Sequence, residues 1–233
     1  MADIRQTTLV LDDMNRPDEY PLSHGGDWSP LASDTIQFSP MKLKGFKATH
    51  PRWASGDTPI TGPERFASSW WTESFSTAIT GVVEVWAVPS GGNASGVAWS
   101  LGLFQNVGGP NTLDGYFWRQ EVTTGGGGTH IYRYTNGSRT ILSAGSSAGT
   151  AGFPSRIWLF RIFSSGLMQA WSSNDFGANW TLRTTANDLL YQGTFYLAIG
   201  VTDNSFSQLP GWSSFGGGYD VERRTRIIRH VTN

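Results

Sequence analysis

Cysteine is absent from the 233 residues, which excludes disulfides, thiolate metal centres and cysteine nucleophiles and leaves the redox compartment undecided. Charge is scarce as well. Charged side chains make up 15% of the chain and the formal net charge is −1, so no global electrostatic attraction to nucleic acid or to an anionic membrane is expected. No apolar run approaches the length of about 18 residues that a membrane-spanning helix needs, and membrane insertion is not expected. The opening MADIRQTTLVLDD lacks a basic stretch followed by an apolar one, so it does not read as a Sec-type signal peptide. Missing too is any sustained 3.6-residue periodicity of helical length. The four histidines, His24, His50, His130 and His230, are scattered without the spacing of a metal cluster, so no metal site is expected from them.

What the chain does hold is glycine and aromatic mass. It has 29 Gly, 11 Pro and 11 Trp, with 13% aromatic residues against 38% hydrophobic overall. Large rings supply core area without many aliphatic residues, at about 25 cal/mol per Å² of apolar surface buried. The Gly and Pro punctuate short extended runs: Leu9 to Leu11, Ser68 to Phe75, Val82 to Val88, Ala98 to Gln105, Gly115 to Val122, His130 to Tyr134, Arg139 to Leu142, Thr194 to Val201 and an Arg-rich Val221 to Val231. Val83, Val85 and Ala87 alternate with Glu84 and Trp86, while Phe195, Leu197, Ile199 and Val201 share one face. Ile157 to Phe163 is apolar at nearly every position, as a strand covered on both faces should be. Asn136-Gly137 marks a two-residue hairpin turn. Roughly a dozen strands at hairpin spacing, without helices, predict an all-β sandwich or barrel, with residues 1–233 forming one domain. Asp18 to Gly62 is the exception: it is long, rich in Pro, Gly, Ser and Asp, and reads as an irregular arm or cover with short strands near Thr35 to Phe38 and Met41 to Ala48.

Leu167 to Arg183 (LMQAWSSNDFGANWTLR) reads as strand, turn, strand. The spacing of Ser173, Asp175, Gly177 and Trp180 resembles the Asp-box hairpin of sialidases and other all-β proteins, and that resemblance implies a structural turn rather than a catalytic one. The pattern does not repeat, which argues against a propeller.

Taken in order, Asp12 to Arg16 (DDMNR), Trp28 after Gly-Asp, Glu84 to Ala87 (EVWA), Gly115 to Arg119 (GYFWR), Ile131 to Gly137 (IYRYTNG) and Gly193 to Gly200 (GTFYLAIG) form a familiar series. From about Leu9 to Gly200 the chain resembles the concanavalin A-like, laminin G-like jelly-roll modules of minor tail and other virion proteins of actinobacterial phages. The resemblance implies a jelly roll whose first and last strands lie close, here Leu9 to Leu11 and Arg226 to Ile228. It also implies location in a virion, on the tail rather than the capsid surface, with other virion proteins as partners and assembly as a homo-oligomer or symmetric array.

A catalytic role is not expected. Glycosidases on this fold carry clustered carboxylates, about 5–5.5 Å apart in the retaining class, whereas Glu84 stands alone on its strand and Glu73 and Glu121 sit on others. No Gly-x-Ser-x-Gly elbow occurs. Calcium could use the turn oxygens of Asp175, Asn179, Asp203 and Asn204, but two isolated Asp with Asn neighbours suit Asx turns better than a six- to eight-oxygen cage. The aromatic strands suggest glycan binding, since rings offer stacking faces and their polar neighbours offer hydrogen bonds. The candidates are Glu84, Trp86, Trp118, Arg119, Tyr132, Arg133 and Tyr134, which could line one sheet face. The alternative for each ring is the core. The basic stretch Glu222 to His230 suits a charged edge strand that resists aggregation, and lacks the aromatic interleaving of single-stranded nucleic-acid binders. The function expected is a non-enzymatic virion protein, a minor tail protein binding host-surface glycan. The alternatives are a capsid decoration or tail-assembly protein making only protein contacts, and a bacterial lectin-like module.

Overall fold

The structure is a computed structural model that describes residues 10–31, 38–39, 41–43, 48–49, 66–90, 97–107, 112–122, 128–146, 157–175, 177–203 and 211–219. Sixteen strands are present among them: β1 (Val10–Asp12), β2 (Trp28–Pro30), β3 (Phe38–Ser39), β4 (Lys42–Leu43), β5 (Ala48–Thr49), β6 (Phe66–Ser76), β7 (Val82–Ser90) and β8 (Val97–Asn106), then β9 (Asp114–Val122), β10 (Gly128–Thr135), β11 (Ser138–Ser146), β12 (Ile157–Phe163), β13 (Leu167–Ser173), β14 (Thr181–Asn187), β15 (Thr194–Asp203) and β16 (Gly211–Gly218). A single helical turn, α1 (Thr77–Thr80), joins β6 to β7. No helix among the described residues is long and apolar enough to cross a membrane.

The strands form two sheets. The first runs β14-β13-β12-β7-β16-β5-β4, with β1 also paired to β16; the second runs β11-β10-β9-β8-β15-β6-β2, with β3 beside β6. Every pairing is antiparallel except β3 with β6. The chain crosses between the sheets at α1 and again between β7 and β8, makes a meander of β8 to β11, crosses back, makes a second meander of β12 to β14, and returns for β15 and β16. This is the all-β, two-sheet antiparallel jelly-roll sandwich that the resemblance implies. Asn136 (φ 48) and Gly137 (φ 75) both take the left-handed conformation that a tight hairpin turn demands.

Alternation decides what lies between the sheets. Val83, Val85 and Ala87 of one sheet meet Trp99, Leu101 and Leu103 of the other, together with Trp118, Trp158, Phe160, Phe195, Leu197, Ile199 and Trp212. Trp158 packs against Trp118 at 4.9 Å between ring centroids and against Trp212 at 5.8 Å. The buried indoles find carbonyls: Trp99 Nε1 donates to Gly211 O at 3.2 Å and Trp212 Nε1 to Gly200 O at 3.2 Å. Each such ring contributes about 1.5–3 kcal/mol or more of burial, so the low aliphatic content is no handicap.

Residues 18–31 open the expected arm and, with residues 10–17 before them, are pinned rather than loose. Met14 and Leu22 are fully buried, and Asp12 anchors the segment by accepting from Trp28 Nε1 at 2.7 Å and from Arg16 Nη1 at 2.6 Å. Glu19 takes Arg16 Nη2 at 2.6 Å and the backbone N–H of Ser23 at 3.1 Å. Burial works against the Glu19 carboxylate, but Arg16 and the backbone donors outweigh it and its pKa is lowered. Of the short strands expected in the arm, the one near Thr35 to Phe38 falls at β3, while Met41 to Ala48 is not one strand but holds β4 and the start of β5, paired antiparallel with each other.

One strand of the fold was not expected. β16 (GWSSFGGG) was not foreseen, because four glycines and two serines hide any periodic apolar face; β1 pairs with it, Val10 opposite Gly216. The strand expected at Val221 to Val231, and the pairing expected for Arg226 to Ile228, lie outside the described residues.

Candidate functional site

The seven residues expected to line one sheet face are split by the fold. Glu84 and Trp86 lie on β7 in the first sheet, and the other five lie on β9 and β10 in the second. The reason is the crossover between β7 and β8, which periodicity along one strand cannot report. Within the second sheet, alternation divides the five again. Trp118 and Arg133 point inward, and Arg119, Tyr132 and Tyr134 face outward.

Several of them expose no surface to a ligand. Trp118 is 1% exposed, and its Nε1 donates to Thr129 Oγ1 at 2.8 Å. Glu84 is also 1% exposed and accepts from Arg161 Nη2 at 2.8 Å, a buried ion pair on the outer side of the first sheet. Trp86 packs with Ile157 and Leu159 in a small apolar cluster on that side. Arg133 is half-buried and donates to Asp188 Oδ2 at 2.6 Å. Tyr116 and Tyr191 complete this network: Tyr116 OH donates to Asp188 Oδ1 at 3.1 Å, and Tyr191 N–H donates to Tyr116 OH at 3.0 Å. Burial, reinforced by Asp188, pushes the Tyr116 hydroxyl well above its ordinary pKa. The network fixes the loop between β14 and β15, at whose tip Leu189 and Leu190 stand 63% and 54% exposed.

The outer side of the second sheet carries a distinct apolar layer. Phe104, Phe117, Tyr132, Tyr134 and Ala198 form it with Leu31, Val107 and Leu113. The cross-strand register explains its packing. Tyr132 faces Phe117, Phe117 faces Gly102, Gly102 faces Ala198, and Ala198 faces Trp70. Large rings therefore flank small residues on the central strands. Gly102 is required there, because a Cβ would come within 2.5 Å of Phe104 and 2.7 Å of Phe117. Beside this layer Arg119 pairs with Glu121 at 3.1 Å, and His130 and Ser100 are its cross-strand neighbours.

At one margin this layer reaches solvent. Trp70 and Tyr196 pack against it half-buried, with ring centroids 4.9 Å apart at an interplanar angle of 68°. Neither the Trp70 indole N–H nor the Tyr196 hydroxyl has a hydrogen-bond partner among the described residues. A bulge places polar groups alongside. Tyr196 and Ala198, two apart on β15, pair with Ser74 and Trp70, four apart on β6, so β6 bends here and presents Thr72 and Glu73, both exposed. Bulges of this kind re-aim side chains and are over-represented beside functional sites. Two rings with free polar edges, next to hydroxyls and a carboxylate, can stack on an apolar ligand face while hydrogen-bonding its rim. Sequence reasoning passed over Trp70 and Tyr196, yet both carried a signal. In the Trp70-Trp71 doublet only one ring can enter the core, and the inward set Phe195, Leu197, Ile199 and Val201 sends Tyr196 out.

The Asp-box turn is held by its own side chains. Ser173 Oγ accepts from Gly177 N–H at 2.8 Å; Asp175 Oδ1 accepts from Asn179 N–H at 2.8 Å, and Asp175 Oδ2 from Asn179 Nδ2 at 2.6 Å. The side-chain and backbone donors of Asn179, then Ser173, lower the Asp175 pKa to about 2. Trp180 packs on the Trp86 cluster. Both Asp175 oxygens are thus engaged within the turn. The Asp203 side chain and Asn204 lie outside the described residues, as do His50 and His230. No group of three or more His, Asp or Glu converges in a way that could hold a metal ion among the described residues.

No family model and no curated protein matches the sequence. Solved structures do resemble the fold. A legume lectin-like domain from Entamoeba histolytica aligns with a TM-score of 0.56 at 11% identity, covering 83% of this chain and 90% of that one. The exoplasmic/lumenal domain of VIP36 in its Ca2+/Man-bound form aligns at 0.55 with 11% identity, over 86% and 88% of the two chains. The CBM2 module of the evolved Dit of Lactobacillus casei BL23 phage J-1 aligns at 0.54 with 9% identity, over 93% and 98%. At such identities the likeness speaks for architecture: this chain folds as a concanavalin A-like, legume-lectin-like jelly-roll sandwich.

Proposed function

We propose that the chain is a non-enzymatic carbohydrate-binding module of a bacteriophage virion, a minor tail protein that contacts glycan on the host surface. The observation that carries the reading is the half-exposed Trp70–Tyr196 pair at the margin of the outer aromatic layer, with Thr72, Glu73 and Ser74 beside it. Trp70 and Tyr196 make the stacking contacts, and Tyr132 and Tyr134 belong to the buried layer on which they rest. Likeness to a phage CBM2 module and to the VIP36 exoplasmic/lumenal domain in its Ca2+/Man-bound form supports both halves of the proposal. A glycan array probed with wild type and Trp70→Ala tests it: wild type binds a defined set of glycans, and the variant, equally folded, loses them. Absence of wild-type binding removes the receptor role.

A second reading has its own observation. Leu189 and Leu190 protrude at one end of the sandwich, held by the Asp188 network, and large apolar residues exposed on a fixed tip suit contacts between proteins. A virion component making only protein contacts, as capsid decoration or tail-assembly subunit in a symmetric array, would use that end. Electron microscopy of labelled virions separates tail tip from capsid.

A further inference from the structure

We propose that the opposite sheet carries a second glycan-stacking site, centred on Trp171 and Trp180 and suited to a neutral sugar. The ligand class rests on the carbohydrate reading above, but the residues are independent of Trp70 and Tyr196.

On the outer side of the first sheet the register sets two rows across the strands. One is Trp86, Leu159, Trp171 and Leu182, and the other is Glu84, Arg161, Gln169 and Thr185. The inner ends of both rows are buried. The outer ends reach solvent: Trp171 and Gln169 are half-buried, Thr185 is exposed, and Leu182 is 43% exposed. Trp180 joins them from the Asp-box turn, packed like Trp171 on the Trp86 cluster. The site is therefore a pair of indoles on a rigid apolar base, one on a strand and the other on a turn fixed by Ser173, Asp175 and Asn179. Such preorganisation lowers the ordering cost of binding.

The polar groups on this patch select its ligand. Gln169 Oε1 accepts from Trp171 Nε1 at 3.3 Å, which leaves the two amide hydrogens of Gln169 to donate outward. Thr185 lies directly across from it. The Trp180 indole N–H is itself buried, so Trp180 offers a ring face rather than a donor. The charged groups nearby are turned to partners within the fold. Glu84 and Arg161 neutralise each other below the surface, Arg183 Nε donates to Ser172 Oγ at 2.7 Å, and both Asp175 oxygens are used within the turn. Rings, an amide and a hydroxyl remain, which match the apolar face and hydroxyl rim of an uncharged sugar rather than a carboxylated one.

The test follows the indole N–H signals of the full chain by NMR, assigned through single Trp→Phe variants. The probes are neutral tetrasaccharides of glucose, mannose, galactose and N-acetylglucosamine, with a galacturonate tetramer as the anionic arm. The expected result is that Trp171 and Trp180 signals move with at least one neutral probe. Gln169→Ala, at the rim, is expected to weaken that response about threefold to tenfold, the scale of one hydrogen bond. Movement at Trp70 alone overturns the second site and leaves the carbohydrate reading standing. Movement at Trp171 and Trp180 with Trp70 unmoved upholds the second site and removes the first. A response to galacturonate only overturns the neutral class, and no movement with any probe overturns both sites.

Discussion

Asp12 accepts the indole N–H of Trp28 at 2.7 Å, sixteen residues away in sequence, and holds Arg16 with its other oxygen at 2.6 Å. The sequence motif around Asp12 is thus a buried clasp. It ties β1 to β2, strands of different sheets, while the Trp28 ring packs on Phe215 at 4.6 Å and on Trp71 at 5.4 Å.

Asp12→Ala should therefore destabilise the fold by about 1–3 kcal/mol, the cost of leaving the buried Trp28 donor unsatisfied. Asp13→Ala, which removes only an exposed bond to Asn15 N–H, should cost less. Urea midpoints at unchanged slope measure both, and equal losses would contradict the clasp.

Trp118→Phe should lower stability and leave glycan affinity alone. It deletes the 2.8 Å bond to Thr129 and leaves that hydroxyl buried without its donor, again about 1–3 kcal/mol. Calorimetry paired with binding on the folded variant checks it. Lost affinity at wild-type stability would restore Trp118 to the binding surface.

Acid should weaken the Asp-box turn in a defined window. The Asp175 pKa is lowered from 3.8 to about 2 in the fold, so the unfolded chain takes up its proton first as pH falls. The stabilisation is fully present above 3.8 and disappears as pH falls through about 2. Asp175→Ala should melt below wild type at neutral pH, with the gap closing across that window. A gap independent of pH would contradict the role of its charge.

Gly102→Ala should be costly although the added group is one methyl. The Cβ would meet Phe104 at 2.5 Å and Phe117 at 2.7 Å, and overpacking of that kind costs about 1–3 kcal/mol. A lower Tm is the readout; an unchanged one would mean that the outer aromatic layer yields freely.

Much of this was legible in the sequence, and the parts that were not have a common cause. Period-two alternation located strands such as β7 and chose the inward set of β15, because a strand's faces are fixed by residue parity. Parity says nothing about which sheet a strand joins. Glu84 and Trp86 could therefore be grouped with Trp118 and Tyr132 although a crossover separates them. Nor does it report what covers an outer face, which is why Tyr132 and Tyr134 proved to be part of a second apolar layer. Trp70 became visible only once the burial of Trp71 in the inner core showed which ring of the doublet turned outward. β16 escaped because glycine carries no apolar signature.

The account's central claim is that glycan lies against Trp70 and Tyr196, and a crystal structure of the chain soaked with its best array glycan tests it most directly. The account predicts a sugar ring stacked on the Trp70 indole, with a hydroxyl bonded to the Tyr196 phenol. Sugar bound with Trp70 left bare, or no sugar at a saturating concentration, would contradict it.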